Sequence, residues 1–181
     1  ELQLETSADG ILTGFCNINE DEVGEDNSHA AAIIYDYSVL AGSQGFFHHQ
    51  KLDRICEKAE EFSLPVVIFT EGGGGRPGDT DVTTQIAGLH IPSFSTWARL
   101  TGKCLKIAVN NGYCFAGNAV LFGCSDFMIA TKQSWIGMAG PAMIEGGGLG
   151  VYDPKEIGPA EEQYKNGVLD YLAEDLSLIH I

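Results

Sequence analysis

Four consecutive glycines follow a short apolar run in this chain, and few architectures can use such a sequence. Val66–Asp81 reads VVIFTEGGGGRPGDTD. Val66–Phe69 has the β-branched and aromatic character of a buried strand. Gly72–Gly75 then present backbone with no Cβ in the way, so bare N–H groups can approach a ligand closely. Such a loop suits an anion, or an oxygen that gains negative charge during a reaction. A flexible linker fits poorly, because linkers are not flanked by a core-like strand and an Arg-Pro-Gly-Asp turn series.

Spacing narrows the choice of anion. A P-loop requires Lys-Ser or Lys-Thr after its last glycine, and neither follows Gly78. The dinucleotide pattern G-x-G-x-x-G is met formally by Gly73, Gly75 and Gly78, but Pro77 removes an N–H from the turn. No acid stands near Ala98 and Arg99, where a ribose hydroxyl would need one.

The 181 residues suit one domain able to bury a substantial core. A net charge of −15 argues against a nucleic-acid surface. There is no membrane-length apolar run and no basic-then-apolar start, so a cytoplasmic location is expected, or the mitochondrial matrix in a eukaryote. All ten basic residues lie between Lys51 and Lys165, so anionic groups of a ligand would have to be met there, with Lys51, Arg54 and Arg76 as candidates. The five cysteines have no C-x-x-C pair or zinc spacing and read as reduced, mostly buried thiols; no metal site is expected.

Hydrophobic periodicity gives strands at Gly10–Ile18, Ala30–Tyr35, Val66–Phe69, Leu105–Val109, Phe127–Ala130, Trp135–Met138 and Gly167–Tyr171. A charged turn is expected over Glu20–Asp26. Phe46–Phe62 reads as a helix, with Leu52, Ile55, Cys56, Ala59 and Phe62 on its apolar face. Further helices are expected over Thr83–Leu100, Phe115–Phe122 and from Pro141, with a turn or short helix at Asp153–Gly158. Alternating strands and helices give an α/β fold. Residues 1–175 form the domain; Leu176–Ile181 (LSLIHI) reads as a non-native tail on a fragment of a longer protein.

A second glycine turn lies in Leu105–Asp126, LKIAVNNGYCFAGNAVLFGCSD. A strand ends at Gly112, and Ala116, Gly117, Asn118 and Ala119 open a helix whose first N–H groups lack intrahelical partners. Close helix-on-sheet packing would ask for the same small residues. Two such turns in one domain nevertheless suit an oxyanion hole to which each contributes an N–H.

NGYCFAGNAVLFGCSD resembles the oxyanion helix start of the crotonase (ClpP/crotonase) superfamily, a spiral of ββα units. Together with YDYSVLAGSQG, HHQKLDR, PVVIFTEGGGGRPGDTD and MAGPAMIEGGGLGVYDPKEIGP, it is similar to the N-terminal half of the carboxyltransferase component of biotin-dependent acyl-CoA carboxylases. The resemblance covers about Ala8–Asp175. It implies transfer of a carboxyl group from N-carboxybiotin to the α-carbon of acetyl- or propionyl-CoA, through an enolate held by backbone amides. On this chain those amides fall on Gly73, Gly74, Gly117 and Asn118, where Asn118 replaces the family's frequent second glycine. Gly42, Ser43, Lys51, Arg54, Gly72, Gly75, Arg76 and Ala116 would line the coenzyme A and biotin cleft. Enoyl-CoA hydratases carry catalytic glutamates at positions matching Val120 and about Ala139; neither residue here can accept a proton, which disfavours hydration.

The resemblance further implies biotin carried on a partner, a coenzyme A thioester as substrate and no metal. Its partners are a C-terminal carboxyltransferase half, a biotin carboxyl carrier, a biotin carboxylase and further copies of the full enzyme. Two other classes remain open at this point. AGSQG (Ala41–Gly45) is one residue from a nucleophile elbow, so a serine hydrolase would use Ser43 with Asp79 and His90. A non-catalytic CoA-binding domain would need neither.

Overall fold

The computed structural model describes residues 6–76 and 91–177. Strand β1 (Ile11–Asn17) leads into two single-turn helices, α1 (Glu20–Val23) and α2 (Glu25–Ser28), and then β2 (His29–Tyr35). The acidic segment 20–26 is therefore helical where a simple turn was expected: Gly24, at φ +81°, separates the two short helices. Next come α3 (Phe46–Phe62), β3 (Val66–Phe69) and α4 (Ser93–Arg99). Of the helix expected over Thr83–Leu100, residues 83–90 lie outside the described residues, and the helix seen begins at Ser93, after Pro92. Then follow β4 (Lys106–Asn110), β5 (Tyr113–Phe115), α5 (Gly117–Gly123), β6 (Phe127–Thr131), β7 (Trp135–Gly137), α6 (Pro141–Gly146), α7 (Ala160–Lys165) and β8 (Tyr171–Ala173).

The main sheet runs β1-β2-β3-β4-β6-β8. Its first pair is antiparallel and the rest are parallel, as crossover helices between strands require. Strands β5 and β7 form a small second sheet, with Tyr113 opposite Trp135. A large parallel sheet, a small sheet and crossover helices make the α/β architecture that the resemblance implied.

Helix α3 follows its periodicity closely. Leu52, Ile55, Cys56 and Ala59 are buried against Ala31, Ile33, Val66 and Ile68. Phe62 does not join them: at the helix end it is exposed and packs edge-on against Phe15. Sequence reading also placed a strand at Gly167–Tyr171, whereas the strand begins at Tyr171 and the unanticipated α7 precedes it. Among the described residues, no helix is long and apolar enough to cross a membrane.

Parallel strands β3 and β4 end side by side, Phe69 opposite Val109. The two glycine turns leave the sheet from that edge, and this placement creates the site.

Candidate functional site

The Gly72–Gly75 loop is held by its own amides. Gly72 N–H donates to Tyr113 O (2.7 Å) and Gly73 N–H to Ala41 O (3.0 Å). Gly74 N–H donates to Asn118 Oδ1 (2.9 Å). Gly75 N–H has no acceptor among the described residues. Gly74 (φ +91°) needs its missing side chain doubly, because a Cβ there would lie 2.6 Å from Ala116 Cβ and 3.3 Å from Gly117 N. The two glycine turns, over forty residues apart in sequence, thus touch.

The second arm turns sharply at Ala116 (φ 51°, ψ −119°), a conformation that costs a residue with a Cβ free energy. Ala116 N–H is fixed to Gly137 O (3.0 Å), and helix α5 begins at once. The N–H groups of Gly117 and Asn118 have no acceptor among the described residues, as expected for a helix's first turn. Among the described residues, therefore, three donors without an acceptor, on Gly75, Gly117 and Asn118, accompany the meeting of the arms.

The Asn118 side chain is fully buried and staples three segments. Its Oδ1 holds Gly74 N–H, while Nδ2 donates to Thr70 O (3.1 Å) and Gly42 O (3.4 Å). Below it Thr70 donates to Asn110 Oδ1 (3.2 Å), and Cys114 Sγ reaches Thr70 Oγ1 at 3.6 Å. Burial pushes the Cys114 thiol up to about 12, so this cysteine is packing and not a nucleophile.

Arg76 and Ser43 brace the loop from the other side. The Arg76 guanidinium is nearly buried; it pairs with Asp9 and donates to Ser43 O (3.0 Å) and Ser43 Oγ (3.3 Å). These bonds give Arg76 a structural role in bracing the loop, beside the phosphate contact expected from sequence. Ser43 has an ordinary extended backbone (φ −72°, ψ 146°), and its hydroxyl donates to Leu40 O (2.7 Å). No histidine pairs with Ser43 among the described residues, and Asp79 and His90 lie outside them. Ser43 lacks the strained elbow of a serine nucleophile, and no general base reaches it among the described residues.

Apart from Lys51 and Arg54, every residue expected at the site falls into this one cluster. Lys51 donates to Ala8 O and Ile11 O. With Arg54 and Lys58 it lines a separate groove of about 450 Å³ along Ile11–Phe15, which none of the glycine-arm residues lines. Glu71 is the group that sequence reading missed. Its carboxylate accepts Asn111 N–H (2.7 Å), and burial raises its affinity for a proton. It ties the first arm to the turn that opens the second. The available signal was an acid placed between a buried strand and a glycine run.

Comparison with known proteins places the chain in a family. The carboxyl transferase domain model matches residues 6–177. The chain belongs to the carboxyl transferase domain family. It is 30% identical over 164 residues to the chloroplastic acetyl-coenzyme A carboxylase carboxyl transferase subunit beta of Angiopteris lygodiifolia, covering 90% of this chain and 49% of that protein. It is 28% identical over 169 residues to the methylmalonyl-CoA carboxyltransferase 12S subunit of Propionibacterium freudenreichii subsp. shermanii, covering 93% of this chain and 30% of that one. Among solved structures, a single-chain, multi-domain long-chain acyl-CoA carboxylase superposes with TM-score 0.90 at 48% identity. That match takes in 99% of this chain and 18% of the carboxylase. The chain thus spans about half the length of the first of these proteins and a smaller share of the other two. Its fold is crotonase-like, as the sequence resemblance implied.

Proposed function

We propose that this domain is the N-terminal half of a carboxyltransferase that moves a carboxyl group from N-carboxybiotin to the α-carbon of a short acyl-CoA. The observation that carries the reading is the contact between the two glycine arms, with free N–H groups on Gly75, Gly117 and Asn118 beside it. Donors fixed before the reaction stabilise an oxygen that becomes negative without further reorganisation. Gly117 supplies the second-arm donor. On the first arm Gly75 takes this role, since Gly73 and Gly74 already have acceptors in this conformation. Biotin, held by a partner, supplies the carboxyl group. Gly73 and Gly75 fit its approach, because among the described residues a Cβ at Gly75 would meet nothing within 4 Å and at Gly73 only Ala41 O at 3.6 Å. The half-buried Val120 and Ala139 offer no proton acceptor, consistent with carboxyl transfer and not hydration.

The proposed partners are a second carboxyltransferase half, a biotin carrier, a biotin carboxylase and further copies of the enzyme. Residues 138–152 fit a docking face for one of them. Met138, Met143, Leu149 and Val151 are all more than 60% exposed, an unusual concentration of apolar surface.

The test uses the full-length protein in the reverse direction, carboxylating free biotin from malonyl-CoA. Replacing the Gly117 residue by glycolate, an ester in place of the amide, removes the N–H without adding bulk. A proline there would add atoms where Gln44 Oε1 leaves only 2.5 Å to a Cβ. The ester should lower kcat about a hundredfold or more, in line with loss of one oxyanion donor. Undiminished turnover by the ester, or brisk turnover by the isolated domain, would overturn the reading.

A further inference from the structure

Gln44 touches both glycine arms. Its backbone clamps the first: Gln44 N–H donates to Gly74 O (2.7 Å), and Arg76 N–H donates to Gln44 O (2.9 Å). Its side chain reaches the second, where Oε1 lies 2.5 Å from the position a Gly117 Cβ would occupy. Such a contact yields easily when the side chain is free to swing. Gln44 is only 3% exposed, and its Nε2 donates to Tyr35 OH (3.0 Å).

The tyrosine that holds it is itself packed into a ring of contacts that returns to Gln44. The Tyr35 ring packs edge-on to His48, with centroids 4.3 Å apart at 87°. His48 N–H donates to Asp9 Oδ2 (2.7 Å), and Asp9 pairs with Arg76. Arg76 N–H returns to Gln44 O. Turning the Gln44 amide away would leave a buried phenol hydroxyl without its partner, a costly change in a dry interior.

The geometry points to Gln44 as a positioning residue: a spacer, locked by Tyr35, that sets the distance between Gly117 and the Gly72–Gly75 loop. It touches no reacting atom. Its effect on catalysis rests on the carboxyl-transfer reading, whereas its effect on the spacing of the arms does not.

The inference is tested by Gly117→Ala in the full-length protein, alone and in a Gln44→Ala/Tyr35→Phe background. Gly117 is helical and not at positive φ, so alanine suits its backbone; the remaining neighbour, Phe94 Cζ at 3.2 Å, can give by a few tenths of an ångström. If Gln44 is a rigid spacer, Gly117→Ala pushes the arms apart. It then costs roughly a hundredfold in kcat, the scale of a 1 Å misplacement, while KM for acyl-CoA moves less than about threefold on the same reasoning. In the background variant the new methyl fills the vacated space, and at least about tenfold of the loss should return, as compensating neighbours do. Near-silent Gly117→Ala shows that Gln44 yields and overturns the proposal. A loss without recovery overturns it as well, because the damage then does not pass through Gln44. Should the unmodified protein show no carboxyl transfer, the function fails on its own. The spacer is then judged by whether Gly117→Ala lowers Tm and the background restores it.

Discussion

Asn118→Ala should be among the most damaging single changes in this domain, although it removes only a small polar side chain. The side chain is fully buried and makes three hydrogen bonds, to Gly74 N–H at 2.9 Å, Thr70 O at 3.1 Å and Gly42 O at 3.4 Å. The last is long enough to set aside. The first two leave a buried donor and a buried acceptor unpaired, each costing about 1–3 kcal/mol, for a loss of about 4 kcal/mol. That is a large share of the stability of an ordinary domain, about 5–15 kcal/mol. Urea unfolding, followed by the fluorescence of the buried Trp97, measures it as a lower midpoint at unchanged m-value. Asn118→Asp refines the test. The introduced carboxylate still accepts from Gly74 but turns an acceptor toward two carbonyl oxygens, so its proton affinity rises in the folded state. The variant should therefore be weak at pH 7 and recover toward wild type as pH falls through its raised folded pKa, when a donor returns. A loss under about 1 kcal/mol for Asn118→Ala, or no acid recovery for Asn118→Asp, would refute the staple.

His48 supplies a second pH signature, since burial holds its pKa near 3, well below the ordinary 6.5. The unfolded chain takes up this proton below pH 6.5 and the folded one does not, so stability falls as pH drops from 6.5 toward 3. The His48 share between pH 7 and 5 is about 2 kcal/mol, read as the difference in unfolding free energy between wild type and His48→Asn at each pH. Gly42→Ala should cost about 3 kcal/mol or more, because φ is +63° and the new Cβ would sit 2.3 Å from Glu71 O; a thermal melt suffices to check it. Ala116→Gly should raise stability by about 1 kcal/mol, relief of strain exceeding the added chain entropy, and a lowered Tm would show that Ala116 is not strained.

Local physics made much of the fold legible. Helix α3 was read to its ends because glycine, proline and a 3.6-residue period agree there, and β3 because a short β-branched run follows Pro65. Helix α7 was missed because only Ala160 in it is buried, so it carries no apolar period. Its signals were electrostatic: Glu161 and Glu162 in the first turn and Lys165 in the last, each complementing the helix dipole. Gly167, taken as the start of a strand, has φ +74° and ends this helix. At the site, sequence could nominate the glycines but not their partners. Asp9 meets Arg76 across 67 positions, and Asn118 meets Gly74 across 44. The side-by-side ends of β3 and β4 bring Asn118 to Gly74, and the start of α3, where His48 N–H donates to Asp9, brings Asp9 to Arg76.

The four glycines of the first arm separate into two kinds once their surroundings are known. Gly72 and Gly74 are required by the protein itself. A Cβ on Gly72 would lie 2.2 Å from both Asn118 Nδ2 and Gly42 O, and one on Gly74 would lie 2.6 Å from Ala116 Cβ. Gly73 and Gly75 are exposed, neither has positive φ, and among the described residues nothing closer than 3.6 Å would meet their side chains. Packing among the described residues gives no reason for glycine at these two positions, and the proposed close approach of a ligand supplies one. Gly73→Ala and Gly75→Ala should therefore change stability by no more than about 0.5 kcal/mol, while Gly72→Ala costs several times that through its backbone clash. In the full-length enzyme the same two substitutions should lower kcat/KM for carboxyl transfer at least about tenfold by displacing the substrate from the donors. Destabilisation comparable to Gly72→Ala would mean that the loop needs all four glycines for folding. Full activity at wild-type stability would refute close approach of a ligand as the reason for glycine at Gly73 and Gly75.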